Sequence, residues 1–393
     1  MTGEINPADQ WRTRKWEVPR DVIGAWIAES DFGTAPEITA ALHEAVDAGF
    51  LTYLPDHAGA AAEDACSRFL QLRYGWAVPT ERVHLVSDVV AALRITLEHF
   101  VPDGAVVVPT PCYPPFLTTP GRVGREVVTV PSASVDGRWS IDLEALDAAF
   151  AAGGRLLLLC NPHNPLGQVM TPEEQRAVAA VVERHGARVF SDEIHAPVVY
   201  PGARHHPYAA LSPETAAHTV TATATSKGWN IPGLKSAQLI LTSDVDQRRW
   251  IERDIVPRLE GSILGAVAAR VAYNSSVDWL DDTIAMFDAN RHLLGRLLAE
   301  HAPTVRYVVP EATYLAWLDF RACGLDVDPA EFLRVHAGVM ASSGRDTGPG
   351  GEGHVRFNFA MPPELLERSV RAVGAALAGA AAGRAAGVRG AVA

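Results

Sequence analysis

Residues 155–195 read RLLLLCNPHNPLGQVMTPEEQRAVAAVVERHGARVFSDEIH and alternate between two kinds of pattern. The run at 155–160 is short and largely apolar, and the run at 188–193 is short and contains a Val-Phe pair, which is typical of buried strands. Between them, residues 171–186 begin with a capping threonine, a first-turn proline and an acidic third helical residue, which is typical of a helix start. A strand, a helix and a second strand in this order predict two parallel strands of one sheet.

The pattern recurs on both sides of this stretch. A second strand–helix–strand unit is predicted at 82–87, 89–100 and 105–110, and two further strands at 219–224 and 236–243. From about Trp279 a long helical segment leads to three apolar runs that predict a second, smaller sheet, at 305–310, 314–320 and 354–360. The sequence therefore predicts an α/β protein with a large and a small domain.

Composition excludes several classes of function. The chain has 393 residues and a formal net charge of −12, which argues against a nucleic-acid partner or an anionic membrane surface. The N-terminus lacks the apolar core of a signal peptide, and no run reaches the roughly 18 apolar residues of a membrane span. The four cysteines have neither metal-ligand nor disulfide spacing, so we expect reduced thiols and a cytoplasmic location.

Unusual residues follow four of the predicted strands. The loops are NPHNPLG at 161–167, SDEIH at 191–195, TSK at 225–227 and PCYPPF at 111–116. Ligands of open α/β sheets bind at the carboxyl ends of strands, so we expect these loops to meet. An Asp, an Asn, a Tyr and a Lys there suit pyridoxal phosphate, which needs a lysine for its aldehyde and a carboxylate against its ring nitrogen.

Lysine is rare in this chain. Of the 34 basic residues only Lys15, Lys227 and Lys235 are lysines, and the last two lie eight residues apart in TATATSKGWNIPGLKSAQ, residues 221–238. A lone lysine after a strand is usually a solvated surface residue. Because the other three loops carry residues that suit the same cofactor, Lys227 is better explained as the residue that forms the Schiff base with it.

Three of these motifs together resemble the class I/II aminotransferases, which are fold type I enzymes of pyridoxal phosphate: NPHNPLG, SDEIH and SKGWNIPGLK. WIAESDF at 26–32 and PEATYLAWLDFR at 310–321 resemble the cystathionine β-lyase branch, the cysteine-S-conjugate C–S lyases. The resemblance runs from about Trp26 to Phe359. It implies an N-terminal arm with part of the small domain at 1–45, a large cofactor-binding domain with a mostly parallel sheet at 46–285, and a smaller α+β domain at 286–393.

The resemblance also implies roles for residues around the cofactor ring. Lys227 would carry the cofactor, Asp192 would hold the pyridine nitrogen, and Asn164 would bind the phenolate oxygen. His195 lies where other branches have a tyrosine near that oxygen, although a satisfied core histidine is an equal alternative. Tyr113 would stack on the ring.

The phosphate and the dimer partner are the next implied contacts. Ser226 and the backbone amides of Val89 and Val90, at a helix N-terminus, would bind the phosphate. Lys235 lies where many relatives place a phosphate-binding arginine. Tyr53 matches a tyrosine that reaches the neighbouring subunit's phosphate, so a homodimer is implied.

Arg356, with Asn164, would bind the substrate carboxylate. A salt bridge from Arg356 to Asp319 or Glu352 is the alternative. No metal site is expected, because His195, His205 and His206 lack the spacing of one.

The sequence departs from the family pattern at four places. SKGWN at 226–230 replaces the commoner SKTFN, DEIHAP at 192–197 lacks the acidic residue that often follows DEIH, and the other two departures concern Asp88 and Glu29-Ser30. Asp88 stands where relatives usually carry glycine, directly before the phosphate-binding amides, and Glu29-Ser30 replace the usual Asp-Met. An aspartate at position 88 would repel the phosphate unless its side chain points away or pairs with Lys235 or an arginine. The substrate pocket is therefore expected to differ from the ordinary one of the branch.

Three functions are compatible with these residues. The first is a C–S β-lyase that converts cystathionine or a cysteine S-conjugate to thiol, pyruvate and ammonia, including one adapted to a sulfur intermediate of a specialised pathway. The second is an aminotransferase, or a decarboxylating or oxidative relative, since the same residues serve these reactions. The third, a ligand-sensing regulator, is disfavoured because the residues before Trp26 are too few for a DNA-binding domain. The branch resemblance favours the lyase.

Overall fold

The computed structural model describes residues 13–252 and 261–391. The helices are α1 Pro36–Asp47, α2 Asp56–Tyr74, α3 Val89–His99, α4 Pro115–Arg122, α5 Leu143–Ala151, α6 Pro172–Arg184, α7 Pro213–His218, α8 Asp244–Glu252, α9 Ile263–Ser275, α10 Val277–His301, α11 Pro329–Phe332 and α12 Pro363–Ala391. The strands are β1 Ile23–Gly24, β2 Val83–Val86, β3 Ala105–Thr110, β4 Val127–Val135, β5 Arg138–Ile141, β6 Gly154–Cys160, β7 Arg188–Asp192, β8 Thr219–Thr223, β9 Ala237–Leu241, β10 Arg306–Tyr307, β11 Leu315–Asp319, β12 Val339–Met340, β13 Ser342–Ser343 and β14 His354–Asn358.

The large sheet has the strand order β2-β9-β8-β7-β6-β3-β4-β5. Strands β8, β7, β6, β3 and β4 run parallel, whereas β2–β9, β9–β8 and β4–β5 pair antiparallel. One buried cluster, which includes α3, covers one face, and a second, which includes α5 and α6, covers the other. Burial on both faces explains the unbroken apolar runs within β3 and β6.

The β6–α6–β7 unit is as predicted. The two strands are neighbours, with Cys160 opposite Asp192, and α6 starts with the predicted capping box, in which the side chains of Thr171 and Glu174 each bond the other's backbone amide. The unit at 82–110 differs, because β2 and β3 run in the same direction but are separated by four strands. Helix α3 packs against β9, β8 and β7, and so it carries the chain across the sheet rather than to a neighbouring strand.

The second sheet is antiparallel and has the order β10-β11-β14-β13. A short parallel pair, β1 with β12, joins the N-terminal part of the chain to the C-terminal part. The predicted domain boundaries stay a prediction, and the one at 285 falls within α10. Among the residues that the structure describes, no helix is both long and apolar enough to span a bilayer.

A buried ion pair fixes the start of β7. The Arg188 guanidinium bonds both carboxylate oxygens of Asp246 in α8, and the Asp246 side chain is 0% exposed. Removing the carboxylate would leave a largely buried cation without this partner, which typically costs about 3–5 kcal/mol. We expect Asp246→Ala to lower the free energy of unfolding by about that amount in urea titrations.

Asp244→Ala is the matched control, since Asp244 lies two residues away and pairs with Arg82 at the surface. Exposed pairs contribute little to stability, so this variant is expected to unfold nearly as the parent does. An equal loss of unfolding free energy in Asp246→Ala and Asp244→Ala would show that the buried Arg188–Asp246 pair stabilises the fold no more than the exposed pair does.

Candidate active site

The carboxyl ends of four strands meet at one cavity of about 290 Å³. Asp192 ends β7, Asn164 follows β6, Lys227 follows β8 and Tyr113 follows β3. Because β3, β6, β7 and β8 are parallel, their carboxyl ends lie at the same edge of the sheet. The structure thus brings together the four residues that the sequence placed in separate loops.

Asp192 is the buried acid of the cavity. Its Oδ1 accepts a hydrogen bond from the Ile194 amide at 3.1 Å. Burial raises the pKa of Asp192 to about 7, and adjacent Glu193 acts in the same direction against the opposing effects of the Ile194 amide and Lys227. A buried carboxylate of this kind is stabilised as an anion by a cationic partner.

Lys227 is the buried amine of the cavity. Its Nζ donates to the Ala28 carbonyl at 3.0 Å. Burial lowers the pKa of Lys227 to about 8, assisted by Arg356 and opposed by Glu29 and Asp192. An amine with this pKa loses its proton near neutral pH, as a nucleophile or a general base must.

Arg356 lies on β14 of the small sheet and points into the same cavity. Its Nη1 donates to Asn164 Oδ1 at 3.2 Å, and its Nη2 donates to the Trp26 carbonyl at 2.9 Å and to Ser342 Oγ at 3.1 Å. The alternative salt bridges are not formed, since Asp319 pairs with Arg321 and Glu352 accepts from the Gly350 amide. Arg356 is therefore oriented as a cation at the cavity wall.

His195 and Tyr113 also line the cavity. Burial lowers the pKa of His195 to about 3, so its imidazole is neutral. Its Nδ1 is buried and has no hydrogen-bond partner among the described residues, which a satisfied core histidine would have. Burial raises the pKa of Tyr113, followed by the effect of Asp192, so its phenol stays protonated.

The N-terminus of α3 forms the other end of the cavity. Val89 and Val90, its first two residues, line the cavity together with Ser226 and Lys235. Ser236 lines it too, and its buried Oγ has no partner among the residues that the structure describes. The sequence analysis missed Ser236, because a serine at the start of a predicted strand carries no distinguishing signal.

Asp88 caps α3 and pairs with Lys235. Its Oδ1 accepts from the Ala91 amide at 2.7 Å, and its Oδ2 lies 2.9 Å from Lys235 Nζ. Partial burial opposes ionisation, yet the bonds from Lys235 and Ala91 outweigh it, so the pKa of Asp88 is lowered. The Asp88 carboxylate, which was expected to repel a phosphate at this end of the cavity, is therefore paired with the Lys235 ammonium group.

Residues 26–31, the active-site segment, form a further wall of the cavity. Side chains from elsewhere in the chain bond the backbone of this segment. Asn358 Nδ2 donates to the carbonyls of Ile27 and Glu29, and Asn230 bonds both the amide and the carbonyl of Ser30. The motif therefore acts largely through its backbone. These four bonds reach backbone atoms and so do not depend on which side chains stand at positions 29 and 30.

Tyr53 is not part of the cavity of the single chain. Its side chain is 86% exposed, and neighbouring Leu51 is 59% exposed. Of the three histidines considered for a metal, His205 bonds buried Glu193 at 2.8 Å. No cluster of three or more metal-ligating side chains occurs in the described parts of the chain.

The residues present fit pyridoxal phosphate. The buried Asp192 carboxylate suits a protonated pyridine nitrogen, and Lys227 suits the aldehyde. The unpartnered Ser236 Oγ and the start of α3 suit a phosphate.

Comparison with known proteins agrees with this geometry. The family model described as aminotransferase class I and II matches residues 21–373. The chain belongs to this family. It is 38% identical to the cystathionine beta-lyase of Corynebacterium glutamicum, over 95% of this chain and 99% of that protein. It is 33% identical to cystathionine beta-lyase PatB of Bacillus subtilis, over 92% and 96% of the two chains.

Among solved structures, cystalysin from Treponema denticola, whose crystal structure contains a pyridoxal 5'-phosphate cofactor, matches with a TM-score of 0.87. The two chains are 27% identical, and the match covers 95% of this chain and 97% of that one. The predicted family and the predicted fold type are confirmed.

The Asp88–Lys235 pair generates a prediction about cofactor affinity. A phosphate bound at the start of α3 would compete with the Asp88 carboxylate for the Lys235 ammonium group and for the positive end of the helix dipole. We expect Asp88→Gly to tighten cofactor binding about threefold to tenfold and to destabilise the cofactor-free protein by about 0.5–1 kcal/mol. Lys235→Ala is expected to weaken binding, and to weaken it less when Asp88 is already glycine.

Cofactor titrations of the two single variants and the double variant measure this coupling. Asp142→Gly is the matched control, because Asp142 caps α5 through amides at 3.0 Å in the same manner but lies outside the cavity. Strictly additive affinities, or an equal gain in affinity from Asp142→Gly, would show that Asp88 does not compete for the phosphate.

Proposed function

We propose that the protein is a pyridoxal-phosphate-dependent C–S β-lyase that cleaves cystathionine or a cysteine S-conjugate to a thiol, pyruvate and ammonia. The observation that carries this proposal is that Lys227, Asp192 and Arg356 line one and the same cavity. The two relatives named cystathionine beta-lyase are 33–38% identical to this chain over nearly its whole length. The predicted cofactor is confirmed by the family of the chain and by the structures of relatives, of which cystalysin contains pyridoxal 5'-phosphate.

When bound, pyridoxal phosphate acts as an electron sink for the pair left at Cα after proton removal. Asp192 would hold the ring nitrogen and, as an anion, would stabilise the positive charge on which this depends. The substrate amine would take the place of Lys227 on the cofactor, and the freed Lys227 amine would then accept the Cα proton while the thiolate leaves from Cβ. Water then completes the conversion of the remaining three-carbon unit to pyruvate and ammonia.

Arg356 is proposed to bind the substrate carboxylate. Its guanidinium is already oriented by Asn164, Ser342 and the Trp26 carbonyl, so little conformational entropy is lost on binding. The neutral imidazole of His195 has an unpartnered Nδ1 and is proposed to contact the cofactor on the Asn164 side.

A homodimer is also proposed, with Tyr53 reaching the phosphate of the neighbouring subunit. The 86% exposure of this aromatic side chain supports a partner surface at that position. The cytoplasmic location remains a prediction from the sequence.

The reaction is tested with cystathionine and a panel of S-alkyl cysteines, with pyruvate, free thiol and keto acid assayed separately. We expect pyruvate and thiol in equal amounts without an added keto acid. Product that forms only when a keto acid is supplied would identify an aminotransferase, which the same residues can support.

The attachment of the cofactor gives a prediction about one residue. Borohydride reduction of the yellow protein is expected to fix the cofactor on the peptide that contains Lys227. Lys15 and Lys235 are internal controls, since Lys15 is fully buried against Asp31 and Lys235 pairs with Asp88. Mass spectrometry that finds the label on either control would refute the assignment.

A further inference from the structure

One backbone carbonyl at the site accepts hydrogen bonds from two side chains. The Ala28 oxygen lies 3.0 Å from Lys227 Nζ and 3.0 Å from the Tyr314 hydroxyl. Tyr314 is fully buried directly before β11, and its ring packs against Phe287. We propose that Tyr314 is a positioning residue which, through the carbonyl oxygen that it shares with Lys227, makes the Lys227 ammonium group easier to deprotonate.

The physical reason is competition for one acceptor. A hydrogen bond to a carbonyl oxygen stabilises the ammonium form of a lysine more than its neutral form. A hydroxyl that donates to the same oxygen draws electron density from it and so weakens its hold on the ammonium group. Burial, followed by the effect of Glu29, raises the pKa of Tyr314, so it remains a neutral donor throughout the working pH range.

The backbone conformation of Thr313 fixes the direction in which the Tyr314 side chain points. Thr313 has φ = +67°, a left-handed conformation that is rare for a β-branched residue and persists only where the surroundings impose it. Its amide donates to the Val198 carbonyl at 2.9 Å, and its carbonyl accepts from the Tyr200 hydroxyl. The hydroxyl of Tyr314 is therefore held in place by a strained turn with partners on both sides.

The other charged and titratable groups that face Lys227 come from three further elements. They are Arg356 on β14, Asp192 and His195 at and after the end of β7, and Glu29 in the active-site segment. Replacing Tyr314 by phenylalanine changes none of them and keeps the ring. A change in the titration of Lys227 would then report on the hydroxyl.

The inference rests on the proposed role of Lys227 and does not depend on whether the reaction is elimination or transamination. It is tested on the full-length protein after the cofactor has been removed with hydroxylamine. Acetylation of Lys227 by acetic anhydride is followed by mass spectrometry as a function of pH, with Lys235 in the same digest as the reference. Trapping of added pyridoxal phosphate with borohydride gives a second readout of the same amine.

We expect Tyr314→Phe to move the midpoint for Lys227 upward by about 0.5–1 pH unit. Tyr307→Phe is the matched control, because its hydroxyl donates to the Arg291 carbonyl at 3.0 Å in the small domain. That control is expected to leave the midpoint of Lys227 unchanged.

A second variant, Thr313→Gly, keeps the inference testable if Tyr314→Phe fails to fold. This variant keeps the Tyr314 hydroxyl but removes the constraint that the turn places on it. A smaller upward shift of the Lys227 midpoint is therefore expected. An unchanged or lower midpoint in the folded variants, or an equal shift in Tyr307→Phe, would overturn the inference. A cofactor trapped on another lysine of the unmodified sequence would instead refute the proposed function itself.

Discussion

Asp192 and Lys227 stand at the ends of neighbouring parallel strands, and the rest of the site depends on how burial alters these two charges. Burial raises the pKa of the acid to about 7 and lowers that of the amine to about 8. Both groups can therefore change protonation near neutral pH, as acid–base chemistry requires. The sheet imposes this arrangement, because β7 and β8 are parallel and hydrogen-bonded up to Asp192 and Ala222.

The active-site segment, residues 26–31, connects this edge of the large sheet to the second sheet. Side chains of the small sheet, Arg356 and Asn358, bond its carbonyls from one side, and Lys227 and Asn230 bond it from the other. Lys15 adds a buried ion pair with Asp31 and a bond to the Ala360 carbonyl. A wall held by its backbone tolerates changes of side chain better than one built from side chains.

The sequence predicted the features that depend on local pattern. The β6–α6–β7 unit follows from apolar periodicity and capping residues, and Asp192, Asn164 and Lys227 follow from the rule that ligands bind at strand ends. The edge position of β2 could not be predicted, because a helix of eleven residues connects adjacent and distant strands equally well. The Ala28 carbonyl and Tyr314 were missed for a similar reason. Their roles arise from tertiary contacts between residues 286 positions apart, which no local pattern encodes.

Glu193 shows how the chain accommodates a second carboxylate beside the buried acid. Successive side chains at a strand end point to opposite faces, so Glu193 leaves the cavity that Asp192 enters. There it receives the Ser191 hydroxyl at 2.9 Å, the Tyr208 amide at 3.1 Å and a contact of 2.8 Å from His205 Nε2. The electrostatic effect of Glu193 still reaches Asp192 and adds to the rise in its pKa. Two adjacent acids are thus compatible with one site, because one is stabilised by the protein itself and the other is left for a cationic ligand.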